Sequence, residues 1–362
     1  MRYLPTSRLT PGLALGQDIY DGAGRLLLGR HILLTEEQIS NLEFLGFPGV
    51  YVDDEFSRGI EIQQIVSPEV RRQALKIVYD LFHTDMRKQE PSEAEFKLRK
   101  TVESVVDDVI CNGDIMCNIM DIKSYDDYIY YHSIHVGILS VVVGARLGLP
   151  HDELCQLAAA ALLHDIGKRF IDHDIVRGGK AHRSEEEQEV YRSHPKIGAE
   201  YLRETCRFSA DVYEGIMEHH ECYNGEGYPL GKKGGEIHLF ARIIRIADCY
   251  DAKVSAFPAQ KSLSPSEALE YVMALGDRWF DPDIVAVFAR KVAAYLGIPH
   301  YVAAYPIGCE VELSNGQHAV VARNFENFPL RPLVRVVETG EMLNMRDDEK
   351  ARAVTVGRLI VR

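Results

Sequence analysis

The chain has 362 residues, of which 46% are hydrophobic and 26% charged, a composition typical of a globular protein with two or three domains. Its formal net charge of −13 argues against binding to nucleic acid polymers, because such binding needs a basic surface. No apolar run approaches the roughly 20 residues that cross a bilayer, and the first residues lead into no apolar signal segment. The sequence therefore predicts no membrane association.

The seven cysteines predict a cytoplasmic location. Their number is odd and no two of them form a Cys-x-x-Cys pair, so neither a disulfide framework nor a thiolate zinc site is indicated. Most of them lie in apolar surroundings, where a free cysteine behaves as a small hydrophobic residue.

Residues 1–55 predict a small α/β module. Strand-like runs around Asp18–Tyr20 and Arg25–Leu28 are joined by a Gly-containing turn. A capping box beginning at Thr35 predicts a short helix, and the apolar run Gly49–Val52 predicts a further strand. No chemistry is evident in this module.

Residues 56–118 predict a helical linker. Apolar residues such as Ala74, Ile77 and Leu81 recur at helical spacing, and the pattern breaks near Glu90-Pro91-Ser92. The pattern indicates a long helix or a helix pair. Two interpretations remain open, a linker that packs on its neighbours and a helix through which the chain forms a homodimer.

Residues 119–297 predict an all-α domain, so the protein as a whole is expected to be mainly α. Capping boxes begin at Ser184 and Ser264, the latter with Pro at the first helical position. Apolar residues occur nearly all round Ile134–Leu147 and Leu154–Leu163, as expected for central helices of a bundle.

Residues 300–362 change to a strand-like pattern. Cys309–Leu313 and His318–Ala322 flank an Asn-Gly turn, and Leu333–Val337 and Val354–Val361 supply further strands. We expect a small, β-barrel-like C-terminal extension.

The candidate chemistry lies in the helical domain, where ten of the fourteen histidines fall between His132 and His238. His164-Asp165 ends an apolar helix, and burying an ionised Asp requires a cation or several hydrogen-bond donors. A divalent metal meets that need, and one Asp can bridge two metals. Alone, such a dipeptide is weak evidence, because it is common by chance and its histidine is usually satisfied by a hydrogen bond.

Further candidate ligands lie beside other apolar helical runs. Mixed nitrogen and oxygen ligands suit Fe, Mn or Zn and not Ca or an iron–sulfur cluster. Paired metals about 3.5–4 Å apart activate a bridging hydroxide and stabilise an in-line displacement at phosphorus. The inventory of five imidazoles and two carboxylates is His132, His164, Asp165, His194, His219, His220 and Asp248.

These motifs resemble one family. The run from His219 to Pro229, HHECYNGEGYP, matches the HHExxxGxGYP signature of HD-GYP domains, and His164–Lys168, HDIGK, matches their HDxGK motif. His194-Pro195 and Asp248–Ala252 also fall where that family has its motifs, so the resemblance covers roughly residues 120–297. It implies an HD-type helical bundle and a bacterial, cytoplasmic phosphodiesterase that opens cyclic di-GMP to pGpG and often GMP.

The resemblance also implies roles for individual residues. The seven candidate ligands match the family's metal ligands, with Asp165 as the bridge between two divalent ions, Fe or Mn, although Zn, Ni or Co also fits. Lys168 matches a lysine beside the scissile phosphate, where it neutralises developing charge or protonates the leaving oxygen. The substrate-binding loop is Gly225, Gly227, Tyr228 and Pro229, and in the family such loops are implicated in contacts with diguanylate cyclase domains. An ordinary turn between helices is the alternative for this loop.

Two departures from the family pattern matter. Members with three metals have a Glu one helical turn before the first histidine, where this chain has Tyr128, so we expect two ions. The family's basic run after the metal Asp is replaced by Ala256–Lys261, in which Phe257 and Gln260 take basic positions and only Lys261 remains to bind substrate. Loss of a bidentate arginine–phosphate contact weakens binding by roughly 1.5–3 kcal/mol.

Three hypotheses follow. The first is an active cyclic di-GMP phosphodiesterase, and the second is a hydrolase for another cyclic dinucleotide such as cyclic GMP-AMP, or for another phosphoester. The third is a non-catalytic, metal-containing signalling or interaction module, against which the complete ligand set argues. The remaining histidines of the helical domain have no assigned role: His135, His151, His173, His182 and His238.

Overall fold

The computed structural model describes residues 1–61, 65–88, 91–112, 127–177, 183–255, 263, 265–291, 295–297, 300–302, 305, 307–325, 328 and 330–360. Over these residues the protein is mainly helical, with small antiparallel sheets before and after the helices. The prediction of a mainly α protein is therefore confirmed. The boundary between the predicted linker and helical domain, at 118/119, lies outside the described residues.

The first 55 residues form two small sheets and one helix with a hydrophobic core of their own. The capping box at Thr35 is present, since its hydroxyl accepts the Gln38 N–H and the Gln38 side chain accepts the Thr35 N–H. The elements are β1 (Arg2–Pro5), β2 (Ala14–Leu15), β3 (Ile19–Tyr20), β4 (Leu26–Leu28), α1 (Glu36–Phe44) and β5 (Gly49–Asp53). Strands β3 and β4 make the predicted hairpin, and the other three strands pair in the order β1-β5-β2.

The helical bundle follows. Its elements are α2 (Pro68–His83), α3 (Pro91–Cys111), α4 (Tyr128–Arg146), α5 (His151–Leu163), α6 (His173–Arg177), α7 (Glu185–Arg192), α8 (His194–Thr205), α9 (Ala210–Glu218), α10 (Leu239–Val254), α11 (Pro265–Ala274) and α12 (Pro282–Lys291). Helix α7 begins at the predicted capping box, in which the Ser184 hydroxyl accepts the Glu187 N–H.

Helix α4 is the centre of the bundle. Its glycines allow close approach to α5, because a Cβ added at Gly137 would lie 2.9 Å from the Leu162 side chain and one at Gly144 would lie 2.7 Å from Leu157. By length and composition α4 could cross a membrane, but 78% of its apolar window is buried inside the protein. Core helices of bundles share this composition, so burial accounts for it.

Helices α2 and α3 pack on each other, and they join the largest hydrophobic core. Buried residues of both helices, such as Val78 and Val106, belong to the same cluster as Leu139 of α4 and Leu157 of α5. In the described residues, this segment is therefore part of the bundle wall.

The C-terminal strands form one antiparallel sheet in the order β11-β10-β9-β8-β12, preceded by the short pair β6–β7. Four strands coincide with predicted runs, whereas β6, β7 and β11 are strands that the sequence pattern did not indicate, and β6 lies at the end of the stretch predicted to be all-α. Closure of this sheet into a barrel stays a prediction. The strands are β6 (Tyr295–Gly297), β7 (His300–Val302), β8 (Glu310–Leu313), β9 (His318–Arg323), β10 (Leu333–Val336), β11 (Met342–Asn344) and β12 (Val356–Leu359).

The N-terminal and C-terminal sheets contact each other through buried charges. The guanidinium of Arg2 donates to Asp54 at 2.8 Å and to Glu310 of β8 at 3.3 Å. The Tyr3 N–H donates to the Gly308 carbonyl at 2.9 Å. The two ends of the sequence are thereby joined by an ion pair and a backbone hydrogen bond.

Candidate metal centre

The candidate ligands meet because several helices end at one point. His164 immediately follows α5, the pair His219-His220 follows α9, and His194 lies at the junction of α7 and α8. His132 projects from the second turn of α4 and Asp248 from the middle of α10. All seven predicted ligands are buried or nearly so, and the structure brings all of them together.

Three of the histidines are oriented by the backbone in the same way. The Nδ1–H groups of His164, His194 and His219 each donate to the carbonyl three residues earlier, at 2.7, 2.7 and 2.6 Å. Those carbonyls belong to the last turn of a helix, where they lack a helical partner. Because Nδ1 carries the proton, Nε2 of each ring keeps a free lone pair, which is the form that binds a metal.

Asp165 lies between two groups of ligand atoms. Its carboxylate forms one group with His132 and His164, and a second group with His194, His219 and His220. Within each group, the candidate donor atoms lie within 4.8 Å of one another. A carboxylate that is shared in this way can offer one oxygen to each of two cations.

His132 and Asp248 form the outer edge of the first group. Nε2 of His132 is 3.1 Å from Asp248 Oδ1 and 3.9 Å from Asp165 Oδ2. The other ring nitrogen, Nδ1, donates to Asp251 Oδ2 at 2.7 Å. A carboxylate behind a ligating histidine fixes the ring and raises its basicity, so Asp251 orients His132 toward the centre.

The donor set fits a divalent cation. Among the described residues, His164 Nε2, Asp165 Oδ1 and His220 Nε2 are buried without a hydrogen-bond partner. Three unsatisfied acceptors in one buried cluster are costly in the absence of a positive ion. Imidazole nitrogens and carboxylate oxygens are ligands that Fe, Mn and Zn accept.

Most of the ionisation states agree with this fit. Burial and the nearby His164 ring lower the pKa of His219 well below its usual range, and burial and the His219 ring do the same for His220. Burial alone would raise the pKa of Asp165, but His164 and Lys168 lower it well below its usual range. His132 differs, because burial alone would lower its pKa but the carboxylates of Asp248 and Asp251 raise it to about 9. Neutral imidazoles at His219 and His220 beside an ionised Asp165 are the protonation states that metal ligands need.

Lys168 reaches the centre from the turn after His164-Asp165. Its Nζ donates to Asp165 Oδ2 at 2.5 Å and lies 5.3 Å from the centroid of the Tyr191 ring. Burial opposes the charged ammonium, yet the Asp165 carboxylate raises the pKa of Lys168 above its usual value. The Lys168 ammonium therefore places a positive charge directly beside Asp165.

The predicted loop with Gly225, Gly227, Tyr228 and Pro229 lies against the second group. The Tyr228 ring is 4.8 Å from the His220 ring between centroids. Gly225 has a φ of 87°, and a Cβ on Gly227 would lie 2.2 Å from the Cys222 nitrogen, so both positions require glycine.

Four residues beside the ligand cluster and its loop were given no role by the sequence analysis. Asp251 accepts Nδ1–H from both His132 and His135, the latter at 2.8 Å, which also gives His135 a role. The buried Glu221 accepts the N–H groups of Leu230 and Gly231 at 2.6 and 3.1 Å and so holds the loop. Arg245 lies 3.7 Å from Asp248 Oδ2. The i, i+3 spacing of Arg245, Asp248 and Asp251 on α10 was a usable signal.

Two predicted features cannot be placed. Lys261 and the altered run around Phe257 lie outside the described residues, as does His182. Among the other histidines, His238 caps α10 by accepting the Phe240 N–H, and His151 contacts Asp107 at 3.0 Å. Both of these lie away from the ligand cluster and have structural partners of their own.

Residues 118–284 match the HD domain family, and they contain every ligand of the cluster. This match and the motifs support the assignment of these residues to the HD-GYP family. A cyclic di-GMP phosphodiesterase of Pseudomonas aeruginosa is 31% identical over 236 residues, which are 65% of this chain and 54% of the relative. A 3'3'-cGAMP-specific phosphodiesterase of Vibrio cholerae is 32% identical over 165 residues, 45% of this chain and 37% of the relative.

The solved structure of an HDG"Y"P protein from Bdellovibrio bacteriovorus superposes with a TM-score of 0.52 and 18% identity, covering 79% of this chain and 97% of that one. This likeness shows the shared fold. The chain spans about half the length, or less, of the curated relatives named above. In the HD domain, the HD dipeptide is His164-Asp165 and the glycine–tyrosine–proline loop is Gly227-Tyr228-Pro229.

Proposed function

We propose that this protein is a metal-dependent phosphodiesterase that hydrolyses cyclic di-GMP to pGpG, GMP or both. The observation that carries the proposal is the sharing of Asp165 between two groups of buried ligand atoms. Similarity to a cyclic di-GMP phosphodiesterase supports the substrate class. Because this chain covers 54% of that relative, the activity of the whole chain is stated as a proposal.

The proposed ligands are the seven predicted residues, with Asp165 bridging two divalent ions. Bound as a pair, such ions activate water and neutralise charge on a phosphodiester. Two ions are proposed and not three, because this chain has Tyr128 where the resemblance implies a Glu for a third ion, and the Tyr128 ring stacks on His132 at 5.3 Å between centroids. Fe or Mn is the proposed metal, and Zn, Ni or Co has the same ligand preference.

The chain's own groups then act in three ways. Backbone carbonyls hold the histidines in the tautomer that leaves Nε2 unprotonated. The Lys168 ammonium, kept protonated by Asp165, places positive charge where negative charge develops on the phosphoryl oxygens. The loop from Gly225 to Pro229 sets the Tyr228 ring beside His220, where it forms one wall for the nucleotide.

Location and partners are proposed from separate observations. The free cysteines among the described residues support a cytoplasmic location. Exposed Asn224 and Glu226 give the loop a polar surface that a diguanylate cyclase domain could contact. Homodimerisation is proposed through α3, which leaves Phe96 68% and Ile110 48% exposed.

Cyclic GMP-AMP is the second candidate substrate. It is favoured by the similarity to a 3'3'-cGAMP-specific phosphodiesterase and by Phe257, which stands where the family has a basic residue. A changed phosphate contact alters the relative affinity for related dinucleotides.

The test combines metal analysis with product chromatography. Protein purified without oxygen is expected to hold two equivalents of Fe or Mn and to convert cyclic di-GMP faster than cyclic GMP-AMP. His151→Ala is the matched control. His151 begins α5, the same helix that His164 follows, but its side chain is 46% exposed and lies outside the cluster. Fewer than two equivalents of metal, or no turnover of either nucleotide after Fe or Mn is restored, contradicts the proposal. Faster turnover of cyclic GMP-AMP selects the second candidate.

A further inference from the structure

A cavity of about 480 Å³ lies between residues of the N-terminal module and residues of the helical bundle. One wall is the segment Gly16–Tyr20 with Arg30, and the other is the start of α2 with Tyr131 of α4. We call this space the hairpin cavity, because strand β3 of the β3–β4 hairpin lines it. No residue of the cavity belongs to the candidate metal centre.

The lining is basic in an acidic chain. Three guanidinium groups, those of Arg30, Arg71 and Arg72, line the hairpin cavity, whereas the whole chain carries a net charge of −13. Asp18, whose carboxylate also lines the cavity, accepts the backbone N–H of Arg30 at 2.7 Å and the Tyr20 hydroxyl at 3.0 Å. The local surplus of positive charge favours an anionic occupant.

Two of the arginines make only weak contacts with carboxylates of the chain, so their guanidinium groups can bind an added anion. Arg30 is 51% exposed and lies 3.7 Å from Asp53, which is longer than a good hydrogen bond. Arg72 forms an exposed pair with Glu69 at 2.7 Å, a kind of contact worth little in water. The Gln17 Oε1 atom is buried with no hydrogen-bond partner among the described residues, so the wall also offers an acceptor for a donor group on the occupant.

The remaining wall is apolar. Ile19, Pro68, Leu75 and the ring of Tyr131 line the hairpin cavity together with the charged groups. Small-molecule sites are clefts of about 300–1,000 Å³ with mostly apolar walls and a few polar groups that fix orientation. The size and lining therefore fit a small organic anion, a carboxylate or phosphate group on an apolar or aromatic body.

The cavity wall is connected to the metal-binding helix. Tyr131, which precedes His132, donates its hydroxyl to the Tyr20 carbonyl at 2.9 Å. The hairpin turn is pressed against the start of α4, since a Cβ on Gly22 would lie 2.2 Å from Asp127 Oδ1 and 2.7 Å from the Tyr130 ring. An occupant that shifts the hairpin would therefore move residues that lie within one or two helical turns of His132.

From this geometry we propose that the hairpin cavity is a regulatory site for a small organic anion, and that its occupancy changes the rigidity of the first turns of α4. The anion contacts Arg30 and Arg72, and its apolar body packs on Ile19 and Leu75. This proposal does not depend on the proposed catalytic activity, since it concerns binding at a separate site.

The test uses the full chain, freed of metal by dialysis so that the probes cannot bind metal ions. Phenyl phosphate and benzoate are titrated by calorimetry, with inorganic phosphate as the probe that lacks an apolar body. At least one aryl probe is expected to bind with a Kd below about 1 mM and more tightly than inorganic phosphate. Hydrogen exchange in peptides that cover residues 127–135 is expected to slow on binding.

The variants separate this site from any other anion site. Arg72→Ala and, independently, Arg30→Ala are expected to weaken aryl-probe binding about tenfold, by loss of a charged hydrogen bond. Arg352→Ala is the matched control, because Arg352 forms an exposed i, i+3 pair with Glu349 as Arg72 does with Glu69. No binding of either aryl probe up to about 1 mM, or equal binding by the two cavity variants and the control, overturns the proposal.

Discussion

Replacing Asp251 with Asn should weaken metal retention without unfolding the protein. Asp251 is fully buried, and its two oxygens accept Nδ1–H from His132 at 2.7 Å and from His135 at 2.8 Å. Asparagine keeps the shape of the side chain but has one acceptor oxygen and one NH₂ donor. One of the two imidazoles must then face an NH₂ group with its own N–H.

The magnitude follows from the bond that is lost. A hydrogen bond that involves a charged group contributes about 1.5–3 kcal/mol, and about 1.4 kcal/mol is a factor of ten in affinity. If His132 loses its partner, its ring is free to turn and Nε2 no longer points at Asp165. We therefore expect metal affinity to fall by roughly 10- to 100-fold, which is usual when a residue that hydrogen-bonds a metal-binding histidine is replaced.

The assay is competition with a chelator of known affinity, read by metal analysis of the protein fraction, together with thermal unfolding of the metal-free protein. Asp281→Asn is the matched control, because Asp281 is also a buried carboxylate and accepts from Arg242 at 2.6 Å, away from the ligand cluster. Both variants should lose unfolding free energy, and only Asp251→Asn should lose metal. If metal affinity is the same in Asp251→Asn and in the wild type, Asp251 does not orient His132.

Three further predictions follow from the centre and its loop. Asp165→Ala should abolish both metal retention and turnover, as measured by metal analysis and product chromatography, because the shared carboxylate is removed; full activity would show that the bridge is misassigned. Phe257→Arg should strengthen cyclic di-GMP binding by about one to two decades in calorimetry, since it restores a guanidinium–phosphate contact; an unchanged Kd would refute the argument. Gly227→Ala should lower the melting temperature and the activity, because its Cβ would lie 2.2 Å from the Cys222 nitrogen, whereas Gly235→Ala meets nothing within 4 Å and should be neutral. Equal melting temperatures for the two glycine variants would count against the close approach at Gly227.

The bundle and the ligands were predictable from local patterns. His164, His194 and His219 each follow an apolar or amphipathic helix, and the motif around each of them is contiguous in sequence. Because a helix end places its next residue at a defined point, a contiguous motif carries most of its own geometry. The same reasoning gave the hairpin of β3 and β4 and the capped start of α7.

Features that depend on distant residues were not predictable in this way. The pairing of His135 with Asp251 joins α4 to α10 across 116 positions, and the contact of Arg2 with Glu310 spans 308. No local pattern encodes either partner. Strand β11 (Met342–Asn344) was missed because it is three residues long and half exposed, so that its alternation is too short to recognise.

The helix ends at the ligand cluster also bear on the order in which its ligands assemble. Helices α5 and α9 both direct their C-terminal carbonyls toward it, and such an end acts like about half a negative charge. Asp165, Asp248 and Asp251 add three carboxylates in the same buried region. Before metal binds, this region therefore attracts cations and repels the phosphates of a dinucleotide. For the proposed activity, we therefore expect metal to bind before the dinucleotide, and the affinity for the dinucleotide to rise with the metal content of the protein.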